Sequence, residues 1–366
     1  MFLQIGKVTV MVKKRYPLLD LLRWIAAIMV ATLHWSLEIG PPNSNKILSI
    51  PIFGKLVANG GLGVTIFFII SGYVIIETAM KRDALDFIFA RFNRLFPGLL
   101  ICMPLVLIVG SRYIQSYPTP ARSLFNSIFL TYKLTGAPPL TSQLWTLIIE
   151  VQFYGAVALL LFLFPKLFKS GRRILFLLVG WQLLLTALTS MHWFDSTQLS
   201  RYLDLSGYGS LFALGICLNI LSNTKIRDLE NFLPSSVLTF YFLSKEYGIL
   251  GHGAAQETII ACAVLIIFFS RFVNFTSKRL SKYFQWLGLS SYLIYLIHLQ
   301  VGMAFINEFR NHVSTNVYLI FLLAILFITF VSILISLFME KPIQAFGTAN
   351  FGKIRRIGKT KIAITG

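Results

Sequence analysis

From Val317 to Phe338 the chain carries no charged residue. As a helix rising 1.5 Å per residue, such a run covers roughly 30 Å, the thickness of a bilayer's hydrocarbon core. In that medium backbone amides find no water, so the segment has to satisfy its own hydrogen bonds as a helix. Apolar runs recur near 18–39, 61–80, 95–110, 144–164, 174–193, 205–221, 233–251, 255–273 and 288–306. The expected fold is therefore an all-α integral membrane protein, a bundle of about ten transmembrane helices. The span at 233–251 is the weakest, because Lys245 and Glu246 interrupt it, and 95–110 is short and holds Pro97 and Pro104. Only 13% of residues are charged, against roughly a quarter in soluble chains, so there is too little polar surface to cover soluble domains. One membrane domain (residues 1–345) followed by a basic tail (346–366) is the organisation expected.

The net charge of +19 does not point to nucleic acid, which needs a basic groove on a soluble module. Most of the 33 Lys and Arg residues instead collect in alternate connections, among them Lys81, Arg82, Lys166, Lys169, Arg172, Arg173, Lys278, Arg279 and the tail after Glu340. Positive charge is retained on the cytoplasmic side of membranes, so both termini are expected there, with the tail resting on anionic lipid headgroups. Lys13, Lys14 and Arg15 precede the first apolar run as in a signal peptide, but that run is long, holds Arg23 and His34, and lacks a small-residue cleavage site. It reads as a retained first span. Cys102, Cys217 and Cys262 fall inside apolar segments without paired spacing, and are expected to be buried apolar residues rather than disulfides or metal ligands. In the long outer connection 111–143, the stretch from Arg122 to Tyr132 has apolar residues at helical spacing, bracketed by Pro118, Pro120, Pro138 and Pro139, and is expected to lie along the interface.

Ionisable side chains inside spans are costly and mark function. Arg23 and His34 share the first span, about 16 Å apart on broadly one side. Glu150 lies in the fourth span, roughly 9 Å below its outer end, while His34 lies roughly 8 Å below its own. The two are thus expected at one depth, where a carboxylate would fix the tautomer of a histidine base. Ser71 and Gly72 fall about 15 Å into the second span, where glycine serves helix packing or lets a ligand approach the backbone. Arg91 and Arg94 stand one turn apart at the mouth of the third span, suited to clamp a phosphate or to anchor on headgroups. Tyr292, Tyr295 and His298 recur every third residue, as a polar wall or as ordinary packing. His192, His252 and His312 sit at span ends or in outer loops and are given no chemical role.

In order along the chain, these segments resemble the acyltransferase-3 family of membrane acyltransferases, which includes bacterial O-antigen and Nod-factor O-acetyltransferases. The resemblance runs from Leu19-Asp20-Leu21-Leu22-Arg23 to Glu340-Lys341-Pro342. It takes in Arg23 and His34, Gly63 to Tyr73, Arg91 to Pro97, Trp145 to Tyr154, and Ser291 to His298. Two positions depart from the pattern: Thr65 stands where an acidic residue is common, and Thr146 where serine is usual. The chain ends soon after its last span, so the fused extracytoplasmic esterase-like domain of some relatives is not expected.

The resemblance implies a bacterial inner-membrane enzyme with acetyl-CoA or another acyl-CoA as cytoplasmic donor, a glycan or lipid-linked sugar as acceptor, and no metal. On this reading Arg91 and Arg94 hold the donor phosphates, the pantetheine arm passes Ser71 and Gly72, and His34, oriented by Glu150, is the general base. Arg23 joins the donor site, and Trp145, Tyr154, Tyr292, Tyr295 and His298 line the pocket. Whether Arg23, Trp145 or Tyr295 meets the oxyanion stays open. A transporter or flippase is the rival class, but it predicts paired broken helices in two halves, a pattern the sequence does not show.

Overall fold

The computed structural model describes residues 16–40, 43–113, 120–190, 205–225, 228–250, 253–273, 277–313 and 316–365. His192, His252, Pro118 and the basic residues before Tyr16 lie outside them. Among the described residues, each apolar run of the sequence falls on a helix. The principal ones are α1 (Pro17–Ile39), α2 (Leu62–Ala79), α3 (Ala84–Tyr113), α4 (Pro120–Phe129), α5 (Trp145–Leu163) and α6 (Gly171–Ser190). They are followed by α7 (Leu205–Asn223), α8 (Leu229–Leu250), α9 (Ala254–Phe269), α10 (Lys278–Ile297), α11 (Val317–Ile335) and α12 (Lys341–Thr365). No strand occurs among the described residues. Among these residues six helical segments are long and apolar enough to cross a membrane: Pro17–Ile39, Leu62–Ala79, Ala84–Arg112, Ser142–Leu163, Lys278–His312 and Val317–Arg355. Tyr208–Asn223 and Ala255–Phe269 are shorter apolar helices. α6 and α8 occupy the two remaining expected spans.

Helix α1 stands at the centre, packed between α2 and α10; α7 packs on α2, while α3 and α11 pack on α10. Lipid is as apolar as leucine, so close backbone approach rather than hydrophobic exclusion holds such helices together. The contact between α2 and α7 shows this. A Cβ on Gly72 would stand 2.1 Å from the Phe212 carbonyl oxygen, and one on Gly215 would stand 2.0 Å from that of Ile69. Gly72 therefore serves helix packing, and the backbone of α7 fills the space expected for a ligand. Asn219 extends the seam by donating to the Tyr73 carbonyl at 2.9 Å. Cys102 and Cys217 are buried, as expected, whereas Cys262 is exposed on α9.

Three elements depart from the sequence reading. First, α3 begins well before the expected span, and both its prolines lie inside one continuous helix. It is about 45 Å long, more than a hydrocarbon core, so Asp86, Arg91 and Arg94 form a basic end at the edge of the apolar layer.

Second, α4 does not lie along the interface. It runs back beside α3 until Phe129 meets Phe96, ring centroids 5.7 Å apart, about 25 Å along α3 from its far end. Phe125 and Phe129 face outward while Ser123, Asn126 and Ser127 are buried. Asn126 donates to Thr135 Oγ1 at 2.7 Å, and Ser127 Oγ accepts from the Leu140 amide at 2.9 Å. A re-entrant segment survives at membrane depth by supplying such partners internally.

Third, the tail is a docked helix. Beyond a π-turn at Ser336–Glu340, α12 lies on α3: Asn93 donates to the Gln344 carbonyl at 2.9 Å. Phe351 stacks on Phe89 at 3.9 Å, and Arg355 bridges Asp83 and Asp86. Contacts with α3 hold the described part of the tail.

Gly155 has nothing within 4 Å of a Cβ built on it, which makes it a control for Gly72. Gly72→Ala is expected to destabilise the bundle by about 1–3 kcal/mol through overpacking. Gly155→Ala is expected to be neutral or to stabilise by up to ~1 kcal/mol through helix propensity. Thermal unfolding of the two variants in detergent measures the contrast.

Candidate active site

At the basic end, α1, α2, α3, α5 and α10 surround a cavity of about 600 Å³, within the range of small-molecule sites. Arg23, Ser71, Arg91, Arg94, Glu150, Tyr154, Tyr292 and Tyr295 all line it. Its mouth is framed by Arg82, Asp86 and Phe89 on one side and by Gln344, Thr348 and Phe351 of α12 on the other. Its far end closes on Val64, Phe67, Thr146, Leu147 and Tyr295. Trp145 is not part of the wall; it is half-buried and tilts against Tyr208 at 5.4 Å.

The two arginines expected to act as one clamp differ. Arg94 is bound to Glu340 at 3.0 Å and lies over the Tyr292 ring at 5.1 Å. Glu340 is 1% exposed and also accepts from Ser336 and Gln344, each at 3.0 Å. Arg91 donates to Thr78 Oγ1 at 2.8 Å, lies over Phe87 and Tyr154, and its buried Nε has no partner. Among the described residues it forms no ion pair with a carboxylate, and it lines the cavity. Arg23 is held by Asp20 at 3.5 Å. Glu150 Oε1 accepts from Ser71 Oγ at 2.9 Å and from Tyr154 Oη at 2.5 Å.

His34 is not paired with Glu150. Its Nδ1 lies 2.9 Å from Nε2 of His298, with the two rings within 9° of parallel. The expected equality of depth fails because of the re-entrant segment. It delivers Trp145 deep into the bundle instead of at its outer surface, and lowers Glu150 with it. Tyr295 is hydrogen-bonded to Thr146 at 2.7 Å, one turn beyond Glu150, and His298 lies almost one further turn along α10. The histidine pair is thus about 10 Å beyond Glu150, away from the basic end. It lies past the cavity's far wall.

His298 begins a π-turn, His298–Gly302, a feature that often marks functional sites. Its carbonyl accepts from Trp35 Nε1 at 2.9 Å. Its Nδ1 lies 2.9 Å from the Tyr295 carbonyl. A carbonyl only accepts, so Nδ1 of His298 carries a proton, and in the neutral ring Nε2 is an acceptor. His34 Nδ1–H then donates to it, which leaves the lone pair of the neutral His34 ring on Nε2. A backbone carbonyl thereby sets the tautomer of both rings.

The acyltransferase-3 model, described as an acyltransferase domain, matches residues 16–340. The chain belongs to this family. Among curated relatives, the chain is 27% identical to YrhL of Bacillus subtilis over 347 residues, 83% of this chain and 54% of that protein. It is 26% identical to the peptidoglycan O-acetyltransferase OatA of Listeria monocytogenes, over 78% of this chain and 49% of that one. It is 30% identical over 150 residues to the O-acetyl transferase of Shigella phage Sf6, covering 37% of this chain and 43% of that one. The chain therefore spans about half the length of the curated relatives it matches. No solved structure matches it.

Several residues of the candidate site escaped the sequence reading. Thr78 and the α12 side chains carry no signal that separates them from ordinary span residues, and Phe67 lies within the Gly63 to Tyr73 element without a role implied for it. Glu340 does: it is an acidic residue at the end of the longest apolar run. Thr65, where the family commonly carries an acid, is half-buried on α2 and lies outside the cavity wall.

The two arginines should separate in stability. Arg94→Ala strands the buried Glu340 carboxylate and is expected to cost roughly 2–3 kcal/mol. That is below the ~3–5 of a fully buried pair because Arg94 is 37% exposed. Arg91→Ala is expected to cost less than about 1 kcal/mol, since no carboxylate is left behind. Urea or thermal unfolding in detergent resolves the difference.

Proposed function

We propose that this acyltransferase moves an acetyl group from acetyl-CoA, or a closely similar acyl-CoA, to a hydroxyl of a cell-surface or lipid-linked glycan. His34 is the general base, and His298, rather than Glu150, orients it. The observation that carries the reading is the hydrogen-bonded series from the Tyr295 carbonyl through His298 to His34. It presents an unprotonated Nε2 just beyond a basic cavity. The glycan specificity rests on the relatives named for O-acetyl transfer, among them a peptidoglycan enzyme.

The donor enters the cavity from its basic end. Arg91 and Arg82 meet its phosphates, since Arg94 is already neutralised by Glu340, and guanidinium forks match phosphate oxygens. Glu150 holds Ser71 and Tyr154 in the wall. The acceptor hydroxyl gives its proton to Nε2 of His34 as its oxygen attacks the thioester carbonyl. The carbon–sulfur bond breaks, and the proton passes to the departing CoA thiolate. Tyr295 already donates to the Gln143 carbonyl at 2.9 Å, and Trp145 is outside the cavity. Arg23, about 16 Å from His34 along α1 and bound to Asp20, stays with the donor site at the basic end.

The alternating Lys and Arg bias supports a cytoplasmic basic end and cytoplasmic termini, and the bacterial relatives support an inner-membrane enzyme. CoA is thus held at the inner side and the base sits deeper, so the acyl group travels outward through the bundle.

Purified protein in liposomes, supplied with radiolabelled acetyl-CoA and a peptidoglycan or lipid-linked glycan, tests the scheme. His34→Ala should lower transfer by about 10²–10⁴-fold, and a variant acetylating at the wild-type rate sinks the proposal. His298→Ala should lower kcat about 10–100-fold with the donor KM unchanged, as loss of an orienting hydrogen bond requires. Arg91→Ala should instead raise the donor KM with little change in kcat.

A further inference from the structure

The donor cavity and the histidine pair are neighbours without being continuous. The cavity ends against Val64, Phe67, Thr146, Leu147 and Tyr295, and the rings of Tyr295 and His298 are 5.8 Å apart on its other side. Phe67 meets Tyr295 edge to face, centroids 5.9 Å apart at 72°. The two rings are held differently. Tyr295 is 7% exposed and fixed through its hydroxyl, with Thr146 at 2.7 Å and the Gln143 carbonyl at 2.9 Å. Phe67 has no polar atom on its side chain and is held by packing alone.

We propose that Phe67 and Tyr295 form an aromatic septum between donor cavity and base, and that this septum restricts the transferred acyl group to about the size of acetyl. Tyr295 is the fixed leaf and Phe67 the leaf that yields. A thioester arriving from the basic end presents its carbonyl carbon to this wall. A methyl group beyond that carbon needs only a small displacement of Phe67. A longer chain has to lodge between the two rings or fold back into a cavity already filled by the pantetheine arm. Apolar pockets discriminate one methylene by about 10–200-fold, so several added methylenes give strong exclusion. This inference rests on the acyl-CoA reading above and assigns its acyl specificity to a residue outside the hydrogen-bonded site.

The test measures kcat/KM for acetyl-, butyryl- and hexanoyl-CoA in proteoliposomes, for wild type, Phe67→Leu and Phe67→Ala. Wild type is expected to favour acetyl over hexanoyl by about 100-fold or more. Phe67→Ala should raise the hexanoyl-to-acetyl ratio by about tenfold or more, with Phe67→Leu between them. In parallel, binding of the non-reacting thioether analogues of acetyl- and hexanoyl-CoA is measured in nanodiscs without acceptor. Phe67→Ala should tighten the hexanoyl analogue relative to the acetyl one, a readout that needs neither turnover nor the right glycan. An unchanged ratio in both measurements overturns the septum, as does a wild-type enzyme indifferent to chain length. If wild type binds no acyl-CoA analogue and transfers from no acyl-CoA, the proposed function itself fails. Acetyl transfer with an unmoved ratio removes the septum alone.

Discussion

Polar groups at membrane depth have no water to turn to, and the arrangement of this protein follows from how it answers that constraint. The returning segment after α3 enters the bundle only because Asn126, Ser127 and Thr135 bond its own backbone and side chains. Gln143 then donates to the carbonyls of Tyr295 and Leu296, and Gln300 to that of Leu140. These links fasten the segment to α10 at the turn that carries His298. The polar bonding that lets the chain re-enter the membrane also positions the histidine pair.

The same constraint divides the charged residues into two kinds. Glu340 is satisfied by Arg94, Ser336 and Gln344, and this closed cluster joins the start of α12 to α3. Arg91 has no such closure and lines the cavity. Of two arginines one turn apart in sequence, one is thus closed into the architecture and the other is left in the cavity wall. A buried ion pair is costly to break from one side, whereas a guanidinium without an ion pair in a cavity gains by meeting an anion.

The chain's helical nature and most of the cavity wall were legible in the sequence because they are local properties. Apolar run length dictates a spanning helix, and ionisable or hydroxyl side chains within such runs have to face a cavity or a partner. Arg23, Ser71, Arg91, Arg94, Glu150, Tyr154, Tyr292 and Tyr295 were found by that rule and do line one cavity. Gly72 was read with two possibilities, and the packing of α2 on α7 chose the plainer one. The partner of His34 was misread, because depth was counted from a helix end taken to lie at the membrane surface.

What the sequence determined by itself is the all-α membrane class, the membership of its motifs in one family, and most of the polar side chains that line the cavity. Each depends on residue type and spacing along one helix. Only the tertiary structure decided that His34 meets His298 instead of Glu150. It also decided that Arg94 is spent on Glu340 while Arg91 is not, and that the last helix closes over the cavity mouth. Those outcomes depend on how far one helix is displaced along another. That displacement is set by the re-entrant segment and by the approach of glycine-bearing faces, and no spacing within a single helix records it.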